Sequence, residues 1–556
     1  METADRAIPK WTAVLALIAG CAHILANIHR HFPAEDTGLQ HNLIIRVLLF
    51  FLSTMTWLSL VAWEHRADLQ KTGLIGYILT MVCYMVTLYW THISGYTNLK
   101  STFALWNAYA LFIGTFGILY FGTTILTIGR YPKAAVVLWM AGILMSVTGV
   151  GFMWAFRYYL VGAGMIWCAI DFFSGNQSKR LRAQTTLIKS TVKSNRFLSL
   201  DMTRGLIMML MAIDHTSTAV TGKHSTEIFN MLVPNYMGET ASFLTRFITH
   251  FCAPGFFFLM GTGIILYAHS RLKLNWTQGK IIGTLAIRGI LLIAIERILW
   301  NPIIFGSLAI TNGGVLFGLG GSLVFAALFI RLNSIVLFIM GIAGVLVTQV
   351  LPQLVIDTGI FGNPLSVLFL LPKTGRVWFN LYPIFPWLCI VLIGMAFGKE
   401  ILKNKEKAFQ KLLYAGLISL TVFVIVRFTG GFGNLKDPAG SGLVDFFNVI
   451  KYPPALVFTS LTLGVISIVL YLFERFEHKF MMVKKPLLVF GQTALFFYFI
   501  HWYYFMGLSS PFYIHRGNLV WVYAMWILGL IFIYPLCKRY LNFKQNTAPG
   551  SIWRFF

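Results

Sequence analysis

Long apolar stretches separated by short polar breaks run the length of this chain. A helix needs about 20 apolar residues to cross the hydrocarbon core of a bilayer, and stretches of that size recur from one end to the other. Six stand before a long polar break, at residues 10–28, 43–63, 72–94, 104–128, 134–155 and 157–173. Ten follow it, at 199–220, 244–268, 281–299, 313–331, 334–351, 379–398, 409–427, 451–473, 486–507 and 518–537. The pattern predicts an all-α polytopic membrane protein with about 16 transmembrane helices. The break at 175–198 is polar and basic, without Pro and without a long apolar run. It divides the chain into a six-helix module over 1–174, a basic linker over 175–198 and a ten-helix module over 199–556.

Composition agrees. Of 556 residues, 57% are hydrophobic and 11% are charged, and the mean hydropathy is +0.73. Soluble domains carry about a quarter of their residues as charges. A long chain this poor in charge cannot cover a water-facing surface, so lipid must cover it. The 16 Trp, 22 Tyr and 49 Phe suit the interface and lipid-facing positions.

The formal charge of +25 raises nucleic acid as a partner, but its placement argues against one. With the N-terminus inside, the two termini and the even-numbered loops hold more than twice as many Lys and Arg as the odd-numbered loops. That is the positive-inside asymmetry. It predicts that both termini are cytoplasmic. The stretches Lys179–Arg196 and Lys399–Lys411 then face the anionic headgroups of the inner leaflet. Arg6 and Lys10 before Leu17-Ile18-Ala19-Gly20-Cys21 imitate a lipoprotein signal, but the apolar run continues past Cys21 and reads as a membrane helix. Cys21, Cys83, Cys168, Cys252, Cys389 and Cys537 lie in or beside apolar stretches, with no pair at metal-ligand spacing. They read as small buried hydrophobes, and no metal is expected.

The most informative stretch opens the second module. It runs from Arg196 through Ser199, Asp201, Arg204 and Gly205, then after an apolar run reaches Asp214-His215-Thr216. Asp201 lies in the first helical turn, where a carboxylate suits the helix dipole, and its spacing to Arg204 permits an i,i+3 pair. Arg204, Met208, Met211 and His215 form one stripe at helical spacing, about 16 Å long. One face thus carries a cation at the cytoplasmic end and a histidine in the outer half of the membrane. Arg246 and His250, spaced i,i+4, with Glu296, Arg297, Lys451 and His501, gather at the same outer level. Ionisable groups inside a membrane are costly and usually line a functional cavity. The plainer reading is that they form structural pairs or reach the interface. Gly313, Gly314, Gly318, Gly320 and Gly321 read as close helix packing, not as a phosphate loop, because no strand precedes them.

The second module resembles the heparan-alpha-glucosaminide N-acetyltransferase catalytic-domain family, bacterial branch, within the transmembrane acyltransferase group. The stretches that carry the resemblance are Arg196–Gly205, Met211–His215, Arg246–Gly261, Tyr382–Trp387, Lys451–Pro454 and Leu495–His501. They follow the family's order over about 195–540. The resemblance implies transfer of an acetyl or acyl group from cytoplasmic acetyl-CoA to a sugar or glycan across the membrane. Arg196, Asp201 and Arg204 would then meet the CoA at the inner face. His215 would act as base or nucleophile beside Asp214, since imidazole titrates near neutral pH. Arg246, His250 or backbone donors would stabilise the oxyanion, and Glu296 would orient a histidine. In the family's lysosomal member the position matching His215 carries Asn, and the catalytic histidine follows several residues later. His224 stands near that place here, so His215 is the first candidate and His224 the second.

Expected partners are the bilayer, acyl-CoA, a sugar or glycan acceptor and, as a candidate homodimer, a second copy of the chain; nucleic acid is not among them. The competing class is a transporter or flippase without covalent chemistry, suggested by charges inside helices and by breaks at Pro254, Pro383, Pro386 and Pro453. No repeated half with matching interrupted helices supports it. A zinc site built from His215, His250, His501 and Glu296 uses suitable residue types, but nothing in their spacing brings them together.

Overall fold

The structure, a computed structural model, describes residues 10–31, 54–62, 65, 69–93, 100–144, 151–174, 197–221, 227–230, 236, 239–300, 311–375, 378–438, 440–512 and 518–547. It is all-α. In chain order the helices are α1 (Lys10–His31), α2 (residues 54–62), α3 (Gln70–Ile93), α4 (Lys100–Ile128), α5 (Lys133–Leu144), α6 (Gly151–Phe173) and α7 (Leu198–Thr221). There follow α8 (Thr240–Phe247), α9 (Cys252–Leu272), α10 (Gln278–Ile295), α11 (Val315–Ala326), α12 (Ser334–Asp357), α13 (Pro364–Phe369) and α14 (Ile384–Lys403). The last are α15 (Lys405–Thr429), α16 (Leu443–Phe447), α17 (Leu456–Arg475), α18 (Met481–Gln492), α19 (Ala494–Phe512) and α20 (Leu519–Gln545). Two three-residue strands, β1 (Thr311–Gly313) and β2 (Trp378–Asn380), pair in parallel.

Among the described residues six helices are long and apolar enough to cross a membrane: Thr240–Leu272, Ser334–Asp357, Ile384–Lys403, Lys405–Thr429, Leu456–Arg475 and Leu519–Gln545. The protein is a membrane protein. Six further expected spans coincide with apolar helical stretches of 10–17 residues within the described part of the chain, and others fall wholly or partly outside it, as most of 43–63 does. The 24-residue α7 carries Asp201, Arg204 and Asp214 among its apolar residues.

The expected 244–268 span is not one straight helix. α8 ends at Phe247, the chain makes tight turns through 248–251, and α9 begins at Cys252. Pro254 explains the break. It has no N–H to donate, and as the third residue of α9 it loses no bond within that helix.

The chain forms two compact units. One comprises residues before 196 together with 219–221 and residues from 495 on; the other comprises 196–218 and 222–494. In the first unit, α1 lies close on α6 because Gly20 and Gly162 leave no side chain between the backbones. The C-terminal α20 packs on α4. Arg539 donates from Nη1 to the Tyr120 carbonyl at 2.7 Å, and the Tyr120 hydroxyl donates to the Phe532 carbonyl. The end of the chain thus shares a core with its beginning, an arrangement that chain order does not reveal. His23 is buried, with Nε2 2.9 Å from Thr54 Oγ1.

In the second unit α14 is central and packs against α9, α11, α12 and α15. Gly261 faces the Val391 carbonyl and Gly394 faces the Phe258 carbonyl, so α9 and α14 touch backbone to backbone. α7 meets α18 in the same way: Gly205 sits on the Leu487 carbonyl and Gly491 on that of Asp201. Met202, Leu487 and Phe473 close the contact below. The approach holds Asp201 and Arg204 in place, because Arg204 Nη1 also reaches the Gly491 carbonyl at 3.4 Å.

A methyl group at Gly205 or Gly491 would meet backbone, which cannot move aside. Gly205→Ala and Gly491→Ala are expected to lower the melting temperature of the purified protein by several degrees. Gly263→Ala, where a Cβ meets nothing within 4 Å, is expected to leave it unchanged or raise it, since Ala favours a helix over Gly by about 1 kcal/mol. Thermal unfolding in detergent checks all three.

Candidate active site

α7 runs from one end of the second unit to the other, with candidate groups at both ends. At its start, Arg204 Nη1 lies 3.0 Å from Asp201 Oδ1, the i,i+3 pair that the spacing predicts. The Arg204 side chain remains 28% exposed. Ser199 donates to Glu474 Oε2 at 2.7 Å, Glu474 pairs with Lys405, and the Lys405 ammonium lies over the Phe197 ring. Arg196 lies outside the described residues. This end is a partly open, cation-bearing surface.

Along the stripe, Met208 and Met211 are buried, whereas Arg204 and His215 are only half-buried. The ends of the stripe are accessible and its middle is packed.

The other end is organised by one guanidinium. Arg246, 7% exposed, donates from Nε to Glu227 Oε1 at 3.0 Å and from Nη2 to Glu227 Oε2 at 2.8 Å. Its Nη1 donates to Asp214 Oδ1 at 2.7 Å. The paired geometry with Glu227 is the fork that a planar guanidinium makes with a carboxylate. Asp214 is therefore turned to Arg246. Consecutive helix residues point about 100° apart, so His215 takes a different direction from its neighbour. His224 lies outside the described residues.

Glu227 is fully buried, and its backbone is pinned as well. Its carbonyl accepts from the N–H groups of Lys451 and Tyr452 at 3.1 and 3.0 Å, and Phe229 N donates to the Tyr452 carbonyl at 3.0 Å. The Glu227 segment thus lies on the 448–455 loop, which contains the cis Tyr452–Pro453 bond and leads into α17. Burial alone would raise the Glu227 carboxyl; Arg246, and after it His250, outweigh burial and hold it well below the ordinary value of 4.5.

His250 is buried, with Nε2 3.5 Å from Glu227 Oε1, and neither ring nitrogen has a hydrogen-bond partner among the described residues. Phe247 and Phe458 flank its ring. The sequence places Arg246 and His250 one helical turn apart. In the structure the helix ends between them, and they converge through Glu227 instead.

Glu296 is buried elsewhere in the unit. Its Oε2 accepts from Leu316 N at 3.0 Å, and Gly314 leaves room for its carboxylate. It thus caps the positive end of α11. Tyr382 is set by β1 and β2: its N–H donates to Asn380 Oδ1 at 3.0 Å and to the Gly313 carbonyl at 3.2 Å. Its hydroxyl lies 3.1 Å from that of Tyr452, and Trp387 packs beside it. Among the described residues no three His, Cys, Asp and Glu side chains gather as a metal-ligand set.

Glu227 is the functional residue that sequence reasoning missed. It lies in a polar loop without periodicity. The signal that points to it is electrostatic: a buried Arg246 demands carboxylates, and Asp214 alone leaves the fork unfilled.

A helical membrane fold with a partly open cation at one end and a carboxylate–guanidinium–histidine cluster at the other suits a membrane-embedded transferase. Residues 196–427 match the family model described as heparan-alpha-glucosaminide N-acetyltransferase, catalytic. The stretches Lys451–Pro454 and Leu495–His501 lie beyond the matched residues. No curated protein matches the chain.

Breaking the fork leaves buried carboxylates without a counter-charge. Arg246→Ala is expected to cost about 3–5 kcal/mol, read as a large fall in melting temperature. Asp214→Asn is expected to cost less, since Glu227 keeps both its bonds. Because the folded Glu227 carboxyl sits below 4.5, the stability it contributes is complete above that pH. It is lost as pH falls further, where the unfolded carboxyl binds a proton that the folded one refuses. The stability gap between wild type and Glu227→Gln should hold constant from pH 8 to pH 5 and shrink below about 4.5.

Proposed function

We propose that the 196–494 unit is a transmembrane acyltransferase that takes an acetyl or acyl group from acyl-CoA at the Arg204 end and delivers it to a sugar or glycan at the His215 end. The observation that carries this reading is α7 itself: one helix of the matched segment presents an accessible cation at its start and an accessible histidine three turns on, with packed methionines between. Anionic phosphates of CoA suit Arg204, Arg196 and the basic 175–198 linker. In this reading that end is cytoplasmic, the protein is a multi-pass resident of a bacterial inner membrane with about 16 spans, and both termini are cytoplasmic. The module before residue 175 has a separate role, in acceptor delivery or in assembly as a homodimer.

The chemistry follows from the groups present. A nucleophilic nitrogen or oxygen of the acceptor attacks the thioester carbonyl, the C–S bond breaks, and CoA leaves as its thiol. His215 serves this step in one of two ways. As a base it takes the acceptor's proton and passes it to the departing sulfur. As a nucleophile it first accepts the acyl group on a ring nitrogen and then yields it to the acceptor. His224 is the second candidate for the same role. Asp214, clamped by Arg246, fixes the register of α7 and hence the place of His215; it acts through position. Glu227 fixes Arg246 in turn, and His250 and Glu296 support the two sides of the unit.

The test is incubation of the purified full-length protein in nanodiscs with radiolabelled acetyl-CoA, with and without amino sugars and envelope glycans. Wild type is expected to move label to an acceptor, and His215→Ala to lose at least a hundredfold in rate while keeping its melting temperature. Label retained on the protein without acceptor, and released by hydroxylamine, identifies the nucleophilic route. Loss in His224→Ala with full activity in His215→Ala transfers the role to His224. No CoA binding, no label and no CoA release under any condition would move the assignment to transport without covalent chemistry.

A further inference from the structure

Among the described residues the site holds two buried cations, Arg246 and Lys451, and ion pairs are made by the first alone. Three of the five N–H groups of Arg246 are engaged, two by Glu227 and one by Asp214, and its charge is matched by these two carboxylates. Lys451 is the other cation. It is 4% exposed and enters the same cluster through its backbone, which donates to the Glu227 carbonyl. Its ammonium lies 5.1 Å over the Tyr452 ring. Every Asp and Glu between residues 196 and 494 is among the described residues, and none of them lies within ion-pair distance of Lys451 Nζ. A buried ammonium without a direct counter-ion is costly, and an aromatic face returns only part of the lost hydration.

The surroundings of Lys451 also have hydrogen-bonding capacity to spare. Lys451 and Tyr382 both lie against Tyr452, Lys451 over its ring and Tyr382 at its hydroxyl. Tyr382 and Tyr452 meet hydroxyl to hydroxyl. Trp387, fully buried against both tyrosine rings, has an indole N–H without an acceptor among the described residues. Thr459, on the first turns of α17, has a buried hydroxyl likewise without a partner there. Spare donors around a spare positive charge are the complement of an anionic oxygen.

We propose that Lys451, seated on the Tyr452 ring, is the receptor for an anionic oxygen of the ligand that enters this end of the unit. Two sources share that chemistry. One is a carboxylate carried by the acceptor, bound in the ground state. The other is the oxyanion formed at the acyl carbon during transfer, and this source rests on the transferase reading above. The bland alternative is that Lys451 only balances the surplus carboxylate charge around Arg246. In that case its loss weakens the fold and changes no response to anions.

Full-length protein in nanodiscs separates these cases. The melting temperatures of wild type, Lys451→Arg and Lys451→Met are measured with glucuronate and with methyl glucoside as its uncharged counterpart. Transfer is then measured to glucosamine and to a carboxylated glucosamine. A carboxylate receptor is shown by stabilisation of wild type by glucuronate alone, lost in Lys451→Met and retained in Lys451→Arg, with KM for the carboxylated acceptor raised at least tenfold and kcat unchanged. An oxyanion receptor is shown by a fall in kcat of about 10²–10³ on both acceptors at unchanged KM. If Lys451→Met does not fold, Lys451→Gln and Lys451→Arg carry the same comparison. The proposal is overturned if the folded variants match wild type in glucuronate response, kcat and KM, or lose only melting temperature. If wild type transfers nothing, the glucuronate arm alone decides: stabilisation that depends on Lys451 supports the receptor, and its absence sinks it.

Discussion

A single desolvated guanidinium holds the candidate site together. Arg246 joins three successive segments of the chain: α7 through Asp214, the loop after α7 through Glu227, and α8, which carries it. A cation in this position cannot be left alone, because its hydration has been removed and only carboxylates replace it. That demand fixes where the loop after α7 must return. Once Glu227 is drawn in, its backbone docks on the 448–455 loop, and the entry to α17 is set as well. The pair is not evidence of unusual stability, since its attraction is largely spent on desolvation. Its effect is geometric: alternative arrangements of these loops would leave a charge orphaned.

The turn at 248–251 belongs to the same arrangement. His250, four residues on from Arg246, approaches the same Glu227 between two phenylalanine rings. The carboxylate is then bracketed by a permanent cation and an imidazole, with the 448–455 backbone beneath. Tyr382 and Tyr452 extend the polar ground toward Trp387. The polar interior is thus continuous from Asp214 to α14, although its members come from five separate stretches of chain.

Much of the architecture was legible in the residues. Apolar run length and the scarcity of charge give an all-α membrane protein because lipid leaves few alternatives for the backbone. The i,i+3 pairing of Asp201 with Arg204 was legible because helix geometry alone determines it. Glu227 was not, because its role depends on a loop returning through space. Glu296 was legible as a buried carboxylate but not in its bond to the N-terminus of α11, which depends on a later segment. The docking of α20 on α4 was also hidden, since an apolar helix shows from its sequence that it needs a neighbour but not which one. The bond from Arg246 to Asp214 was likewise hidden, because it joins separate helices.

The methionines on α7 deserve a mechanical reading. Met208 and Met211 close the middle of the stripe with unbranched thioethers. Thioethers pack by dispersion alone, so a change of rotamer at either residue breaks no hydrogen bond and strands no polar group. The middle of α7 therefore owes its packing to shape and not to polarity, while its two ends owe theirs to charge.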